Sequence, residues 1–485
     1  MVNRLTPREA MVYFLDDKNS TTHLGALMII TPEELEVAAR TTSKTAPAPT
    51  HAALDYRRLV HVVENRLQLV PRYRQIVKEV TLGLARPVWA DDPDFDITFH
   101  IRRSGLPAPG GFEHLRDLIS RIMSRPLDKT RPLWEMYLIE GLADGKLAVL
   151  TKSHRCLVDD ADNIEISEVI CDDSRDTDPL PEEIWMPGYP PSSTSLALGA
   201  IAEAVSRPGE MISSVVSNGV IGEARSTAGG AVRRASTLVR QLADSAPASP
   251  LNKSTTSTRS FTVATVPRRG CAKVADRYGC TVNDVVLAII SGVLRRWKLS
   301  VAESISPDDT VRVVLPLSAR DPSMHRRLDA EGRWIAVGRP GFVTDLPIGE
   351  DNPSMRILQV AGLATRHAQS SRRVSTGLGP MLPEIGMIPF PELSSRAFRT
   401  WNFRGFNVPI SIGSGPISRR YLAGHKVSEL YTVPALLAGR ALAISVIEYG
   451  TTLSFAFIGD RGVIADLPEM SGFVTESFED LLTAK

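Results

Sequence analysis

Cysteine is scarce in this chain of 485 residues. Cys156, Cys171, Cys271 and Cys280 form no C-x-x-C pair. A zinc ribbon or thioredoxin-type redox pair is thereby excluded, and reduced thiols in a cytoplasmic protein are the expectation. The nine histidines show neither H-x-x-x-H nor H-E-x-x-H spacing, so no metal site is expected. Uninterrupted apolar runs of about eighteen residues, the length of a spanning helix, are also absent. Met1 to Glu9 lacks the apolar core of a secretory signal. Charge of one sign is not in excess: the net charge of +1 gives no reason to expect nucleic acid or a polybasic membrane anchor.

What is present is the composition of a globular protein, 43% apolar and 23% charged, with length for two domains. Gly25–Ile30 reads as a strand. Tyr56–Leu69 carries Leu59, Val60, Val63 and Leu67 at helical spacing and stops at Val70-Pro71. Phe112–Met123 is a second such helix. Met136–Ile139 and Leu147–Leu150 read as strands paired around Asp144-Gly145. A Pro-rich connector with Trp185 inside it runs from Pro179 to Pro191. Residues 196–246 turn to Ala, Ser, Gly and Val, a solvated linker in preference to a membrane-binding helix, and Ser249–Ser260 is Ser/Thr-rich loop. Beyond it, Cys271–Tyr278 and a segment from Thr281 to Trp297 read as helices, Val311–Leu315 as a strand, and Ala441–Tyr449 with Leu453–Ile458 as a hairpin around Gly450. The expected fold class is α/β (α+β), with domains at 1–178 and 261–485 and a connector at 179–260.

The apolar run Leu147–Leu150 leads into Thr151-Lys152-Ser153-His154-Arg155-Cys156-Leu157-Val158-Asp159-Asp160. This segment resembles the HHxxxDG signature of the coenzyme A-dependent acyltransferase superfamily. His154 matches the first His and Asp159 the Asp. Arg155 replaces the second His, the superfamily's general base, and Asp160 replaces the Gly. Acyl transfer from a thioester to an alcohol needs the hydroxyl proton removed, and a neutral imidazole with a pKa near working pH does this well. Arginine stays protonated and cannot; it binds phosphates, carboxylates or oxyanions instead.

Further blocks, in order along the chain, resemble the bacterial wax ester synthase/diacylglycerol acyltransferases. They are Leu5-Thr6-Pro7 with His23 and Gly25; Pro87 to Asp96 with His100 and Arg102; Pro126 to Trp134 with the element Pro132-Leu133-Trp134; Asn283-Asp284; Asn407-Val408-Pro409; Tyr421 to Gly424; and Asp460-Arg461. The resemblance implies two acyltransferase-type domains of mixed sheets flanked by helices, with a tunnel between them. It implies acyl-CoA as substrate rather than cofactor, and a long-chain alcohol or diacylglycerol as acceptor. Peripheral contact with a membrane or lipid droplet goes with such substrates; nucleic acid does not. Chemistry is assigned to His154, Asp159 and Arg155, and substrate-binding or structural parts to Asp160, Pro132, Leu133, Trp134, Asn283, Asp284 and Asn407. Departures from the family pattern include Gly332-Arg333 in place of Gly-Asn, Phe406 before Asn407, and a longer Ile410–Pro416 loop.

Each of these residues has a structural reading beside the chemical one. His154 packs and hydrogen-bonds in the wall rather than serving as a substitute base. Asp159 pairs with Arg155, since a cation in a tunnel is costly unless paired. Asn283 and Asp284 cap a helix. Pro132-Leu133-Trp134 is in part core. Cys156 has a cation beside it but no base to make it a nucleophile. Three functions stay open: an O-acyltransferase weakened at position 155, an inactive homologue that binds acyl-CoA or neutral lipid, and a condensation-type enzyme of peptide or polyketide assembly. The last is disfavoured because no G-G-x-S carrier attachment motif accompanies the chain.

Overall fold

The computed structural model describes residues 3–16, 19, 21–33, 53–80, 85–158, 165–176, 180–181, 184–192, 194–196, 198, 246–253, 256–316, 326–328, 334–336, 340–369, 374–375, 405–414 and 419–484. Asp159, Asp160, Gly332, Arg333 and nearly all of 196–246 lie outside these residues.

The first half opens with α1 (Pro7–Leu15). Thr6 and Glu9 close a capping box at its start, and Pro7 sits where a missing N–H costs nothing. Strand β1 (His23–Thr31) follows, then α2 (Tyr56–Arg66), which tightens into a 3₁₀ turn before Pro71. Next come β2 (Ile101–Gly105), α3 (Phe112–Ser124), β3 (Trp134–Glu140) and β4 (Leu147–His154). β3 and β4 pair antiparallel. Their turn has Asp144 and Gly145 at φ 60° and 68°, the left-handed region that Gly and Asp tolerate best. A short helical turn, α4 (Arg155–Val158), follows β4 directly.

The second half contains β5 (Arg259–Pro267), α5 (Arg268–Tyr278), α6 (Val282–Ser300), β6 (Thr310–Pro316), β7 (Pro340–Pro347), α7 (Pro353–Gln369), β8 (Val374–Ser375), β9 (Val408–Ser414), β10 (Tyr421–Leu422), β11 (His425–Val433), β12 (Leu442–Tyr449), β13 (Thr452–Asp460) and α8 (Met470–Thr483). Its mixed sheet has the order β8-β7-β6-β9-β12-β13-β5, with β9 parallel to both β6 and β12. The other mixed sheet has the order β10-β11-β1-β4-β3-β2, with β2 and β3 parallel. The hairpin Tyr421–Val433, late in the chain, therefore completes the sheet of the first half. α6 is buried along nearly its whole length, among α5, α7, α8 and the second sheet.

One face of the first sheet packs Met28, Ile30, Leu138 and Val149 against Tyr13 of α1 and Leu59 and Val63 of α2. The other packs Leu27, Ile29 and Leu150 against Leu115, Ile119 and Ile122 of α3 and against Phe261, Val263 and Ile458 of the second sheet. Burial of each α3 side chain contributes roughly 1.5–3 kcal/mol. The halves thus share one apolar layer, and β4 delivers the signature segment to its end. Among the described residues no single helix is long and apolar enough to cross a membrane.

Candidate active site

β1 and β4 pair antiparallel with His23 opposite His154 and Leu24 opposite Ser153. The ladder continues past the strand ends, where the Arg155 N–H donates to the Thr22 carbonyl at 3.0 Å. A Cβ on Gly25 would lie 1.9 Å from the Thr151 carbonyl oxygen, so this approach admits glycine alone. The signature segment is therefore held against the start of β1.

Asp16, the residue that ends α1, organises the cluster. Its Oδ1 accepts from the Thr22 N–H (2.6 Å) and hydroxyl (2.7 Å). Its Oδ2 lies 2.9 Å from His154 Nε2 and 3.7 Å from His23 Nε2. Burial alone would raise the Asp16 carboxyl; His154, His23 and Lys129 outweigh it and hold the group well below the ordinary carboxylate range.

His154 is fully buried. The Cys156 N–H donates to its Nδ1 at 3.1 Å, so Nε2 carries the proton and donates to Asp16. Both ring nitrogens are committed, as the structural reading of this residue expects. The Cys156 thiol is also fully buried, and burial pushes it well above its ordinary value, leaving no thiolate nucleophile. Arg155 is half-buried at the head of α4. Its expected contact with Asp159 or Asp160 involves carboxylates outside the described residues.

His23 is the opposite case. It is 2% exposed, yet among the described residues neither ring nitrogen has a hydrogen-bond partner. Its ring centroid lies 5.9 Å from that of His154. Burial, reinforced by Lys152, holds it well below the ordinary histidine value, so the ring is neutral. Lys152 lies in β4 two residues before His154 and is fully buried. Its Nζ donates to the Ile122 and Arg125 carbonyls at 3.0 and 2.5 Å, closing the C-terminal end of α3, with Glu135 at 3.8 Å. Burial brings its pKa down to about 8.

The remaining sequence-predicted residues brace this cluster or build other parts of the core. Leu133 accepts the His154 N–H at its carbonyl (2.9 Å). Trp134 donates its indole N–H to the Tyr73 carbonyl (2.7 Å) and stacks on His100 at 4.6 Å. Pro132 is buried ahead of them. Asp284 completes a capping box with Thr281 at the start of α6, and Asn283 is exposed beside it. Asn407 is fully buried. It accepts from the Arg312 N–H (2.8 Å) and donates to the Pro247 carbonyl (2.9 Å) and Asn252 Oδ1 (2.5 Å), pinning the end of the connector to the second sheet.

A contact between the halves reaches the cluster's own loop. Arg259 of β5 donates to the Asn19 carbonyl at 2.8 Å, and its Nη1 stands 3.6 Å from the fully buried Asp460. Asp16 and Arg259 bear no motif in a single sequence. His23 lies in the opening block, where its residue type was the signal. Among the described residues no group of three or more His, Cys, Asp or Glu side chains converges as a metal site.

Residues 5–286 match the model of the wax ester synthase/diacylglycerol acyltransferase catalytic domain, and residues 341–482 that of the family's C-terminal domain. A probable diacylglycerol O-acyltransferase of Mycobacterium tuberculosis, tgs3, is 41% identical over 284 residues, covering 58% of this chain and 98% of the relative. A putative diacylglycerol O-acyltransferase of Mycobacterium bovis is 27% identical over 488 residues, covering 98% of both. Among solved structures, a wax ester synthase/diacylglycerol acyltransferase from Marinobacter aquaeolei VT8 shares the fold with a TM-score of 0.63 at 22% identity, covering 99% of this chain and 98% of that one. The starter condensation domain of rhizomide synthetase shares it with a TM-score of 0.52 at 11% identity, covering 100% and 95%. The catalytic-domain match spans more than half of the sequence, and the chain belongs to the wax ester synthase/diacylglycerol acyltransferase family, an acyltransferase of that type.

Proposed function

We propose that this protein moves a long-chain acyl group from acyl-CoA to diacylglycerol or a fatty alcohol, at a rate reduced by Arg155. The observation that carries this reading is the retained frame of the signature. His154 is locked by Asp16 and the Cys156 N–H at the end of β4, with Arg155 next to it at the position of the family's base. The acceptor hydroxyl attacks the thioester carbonyl and coenzyme A leaves. Both substrates meet beside the signature segment, between the halves, so proximity supplies part of the rate without an acyl-enzyme. Arg155 cannot accept the hydroxyl proton.

Such acceptors reside in lipid, and the exposed Ile184, Met186 and Tyr189 of the connector support peripheral contact with a membrane or droplet surface. Their backbone is tethered at Gly188, whose N–H donates to Asp91 at 2.9 Å. A second reading, a homologue that binds acyl-CoA without turning it over, is favoured by the commitment of both His154 nitrogens.

Purified protein with radiolabelled palmitoyl-CoA and either diacylglycerol or hexadecanol tests the proposal by the neutral-lipid product formed. Arg155→His, with Asp160→Gly, should raise the rate, by about a hundredfold where no other residue acts as general base. Absence of product from the original chain and from the double variant would overturn the acyltransferase reading.

A further inference from the structure

With arginine at position 155, the reaction lacks its family base, yet a second imidazole lies one strand away. His23 and His154 are register partners, so their side chains project from the same face of the sheet. They divide the work an imidazole can do. His154 has spent both nitrogens. Among the described residues His23 has spent neither, and its Nε2 faces Asp16 Oδ2 at 3.7 Å. A buried polar side chain without a partner calls for an explanation, and an imidazole backed by a carboxylate is the arrangement of a general base.

We propose that His23 accepts the proton of the acyl acceptor's hydroxyl, with Asp16 balancing the charge that His23 gains. The inference rests on the acyl-transfer reading above. With the Nε2–H directed at Asp16, Nδ1 is the accepting atom. The O–H bond breaks as a proton passes to Nδ1, and the oxygen forms its bond to the thioester carbonyl. The C–S bond then breaks, and the coenzyme A thiolate leaves with the proton from Nδ1. His23 returns to its neutral form, and no oxidant, reductant or further reactant is needed.

The surrounding charges suit the part. Burial, the largest influence, disfavours the protonated ring, as do Lys152, His154 and Lys129, while Asp16 favours it. His23 therefore rests deprotonated and meets a fixed anion when it takes up a proton. Its 2% exposure keeps bulk water away from Nδ1.

The test uses the full-length protein in four forms: unchanged, His23→Gln, Arg155→His, and the two substitutions together. Turnover of palmitoyl-CoA with diacylglycerol or hexadecanol is followed beside thermal unfolding. If His23 is the base, H23Q lowers kcat about a hundredfold or more in the original chain. In the Arg155→His background, where an imidazole again stands in the signature, H23Q then lowers kcat less than about tenfold. A side chain that only supports the fold would lower both backgrounds equally, and that result overturns the proposal. So does unchanged turnover in H23Q. His23→Asn gives the same readings should H23Q fail to fold. An original chain that turns over neither acceptor would instead overturn the acyl-transfer reading, and the part given to His23 with it.

Discussion

Replacing Asp16 with asparagine keeps the side chain's shape and removes its charge. In the native cluster one carboxylate oxygen takes two hydrogen bonds from Thr22, and the other takes the His154 Nε2–H. Asparagine offers one oxygen and one amide. If the oxygen faces Thr22, the amide meets the His154 N–H, donor against donor. Turning the amide around moves the conflict to Thr22. Shifting the His154 proton to Nδ1 moves it to the Cys156 N–H. Each arrangement sets a buried donor against a donor, with only the longer contact from His154 Nε2 to Thr22 Oγ1 at 3.3 Å to relieve it; the loss costs about 1–3 kcal/mol, and one charge-assisted bond is lost besides. The expected destabilisation is about 2–4 kcal/mol, read from urea unfolding at neutral pH. Its pH dependence has a definite sign. The folded carboxyl titrates below its ordinary value, so its contribution is present above about pH 4 and is lost as pH falls further, through the folded value. The gap between the original chain and D16N should therefore be widest near neutrality and close in acid. A loss under about 1 kcal/mol, or a gap unchanged down to acid pH, would refute the part assigned to Asp16.

Long-chain acyl-CoA should raise the unfolding temperature, because a ligand at a hundred times its Kd adds about 2.7 kcal/mol; no shift well above micromolar concentration would count against both the acyltransferase and the binding-only readings. Asn407→Ala should destabilise by about 2–4 kcal/mol, since it strips partners from the Arg312 N–H, the Pro247 carbonyl and Asn252 together. Limited proteolysis should then open the 246–252 segment first, and a variant as resistant as the original would contradict that anchoring. Lys152→Met tests the buried amine. Its folded pKa of about 8 lies below its ordinary 10.5, so the lysine form gains stability as pH rises through that window. The methionine form should therefore compare best below pH 8 and lose ground toward pH 10 in urea unfolding; a constant difference would mean that the amine is not perturbed.

Local signals were readable where one element's own residues decide it. Asp144-Gly145 and Gly450 mark turns that do join β3 to β4 and β12 to β13. Thr281 with Asp284 marks the start of α6, which the capping box confirms as a helix cap. The periodic residues Leu59 and Val63 face the core as their spacing requires. What stayed hidden depends on contacts between distant segments. Nothing in Tyr421–Val433 says that this hairpin pairs with β1 rather than with its sequence neighbour β12. The same holds for the cluster: Asp16, His23 and His154 come together through the end of one helix and the register of two strands, and no spacing along the chain encodes that. Trp134 and Asn407 were visible as family landmarks, but their hydrogen bonds to Tyr73, Arg312 and Pro247 belong to the folded chain alone.

The late hairpin also governs how the protein is made. Thr31 of β1 pairs with Lys426, and Gly25 with Val433. A ribosome adding about 5–20 residues per second needs tens of seconds to synthesise the chain between these partners. Throughout that interval β1 is an outer strand whose backbone N–H and C=O groups on one side have nothing to bond, along the apolar stretch Ala26–Ile30. Such an edge invites pairing with another nascent chain. The strand that bears His23 is thus among the last parts of the molecule to be enclosed, and a chain that stops before residue 425 exposes it permanently.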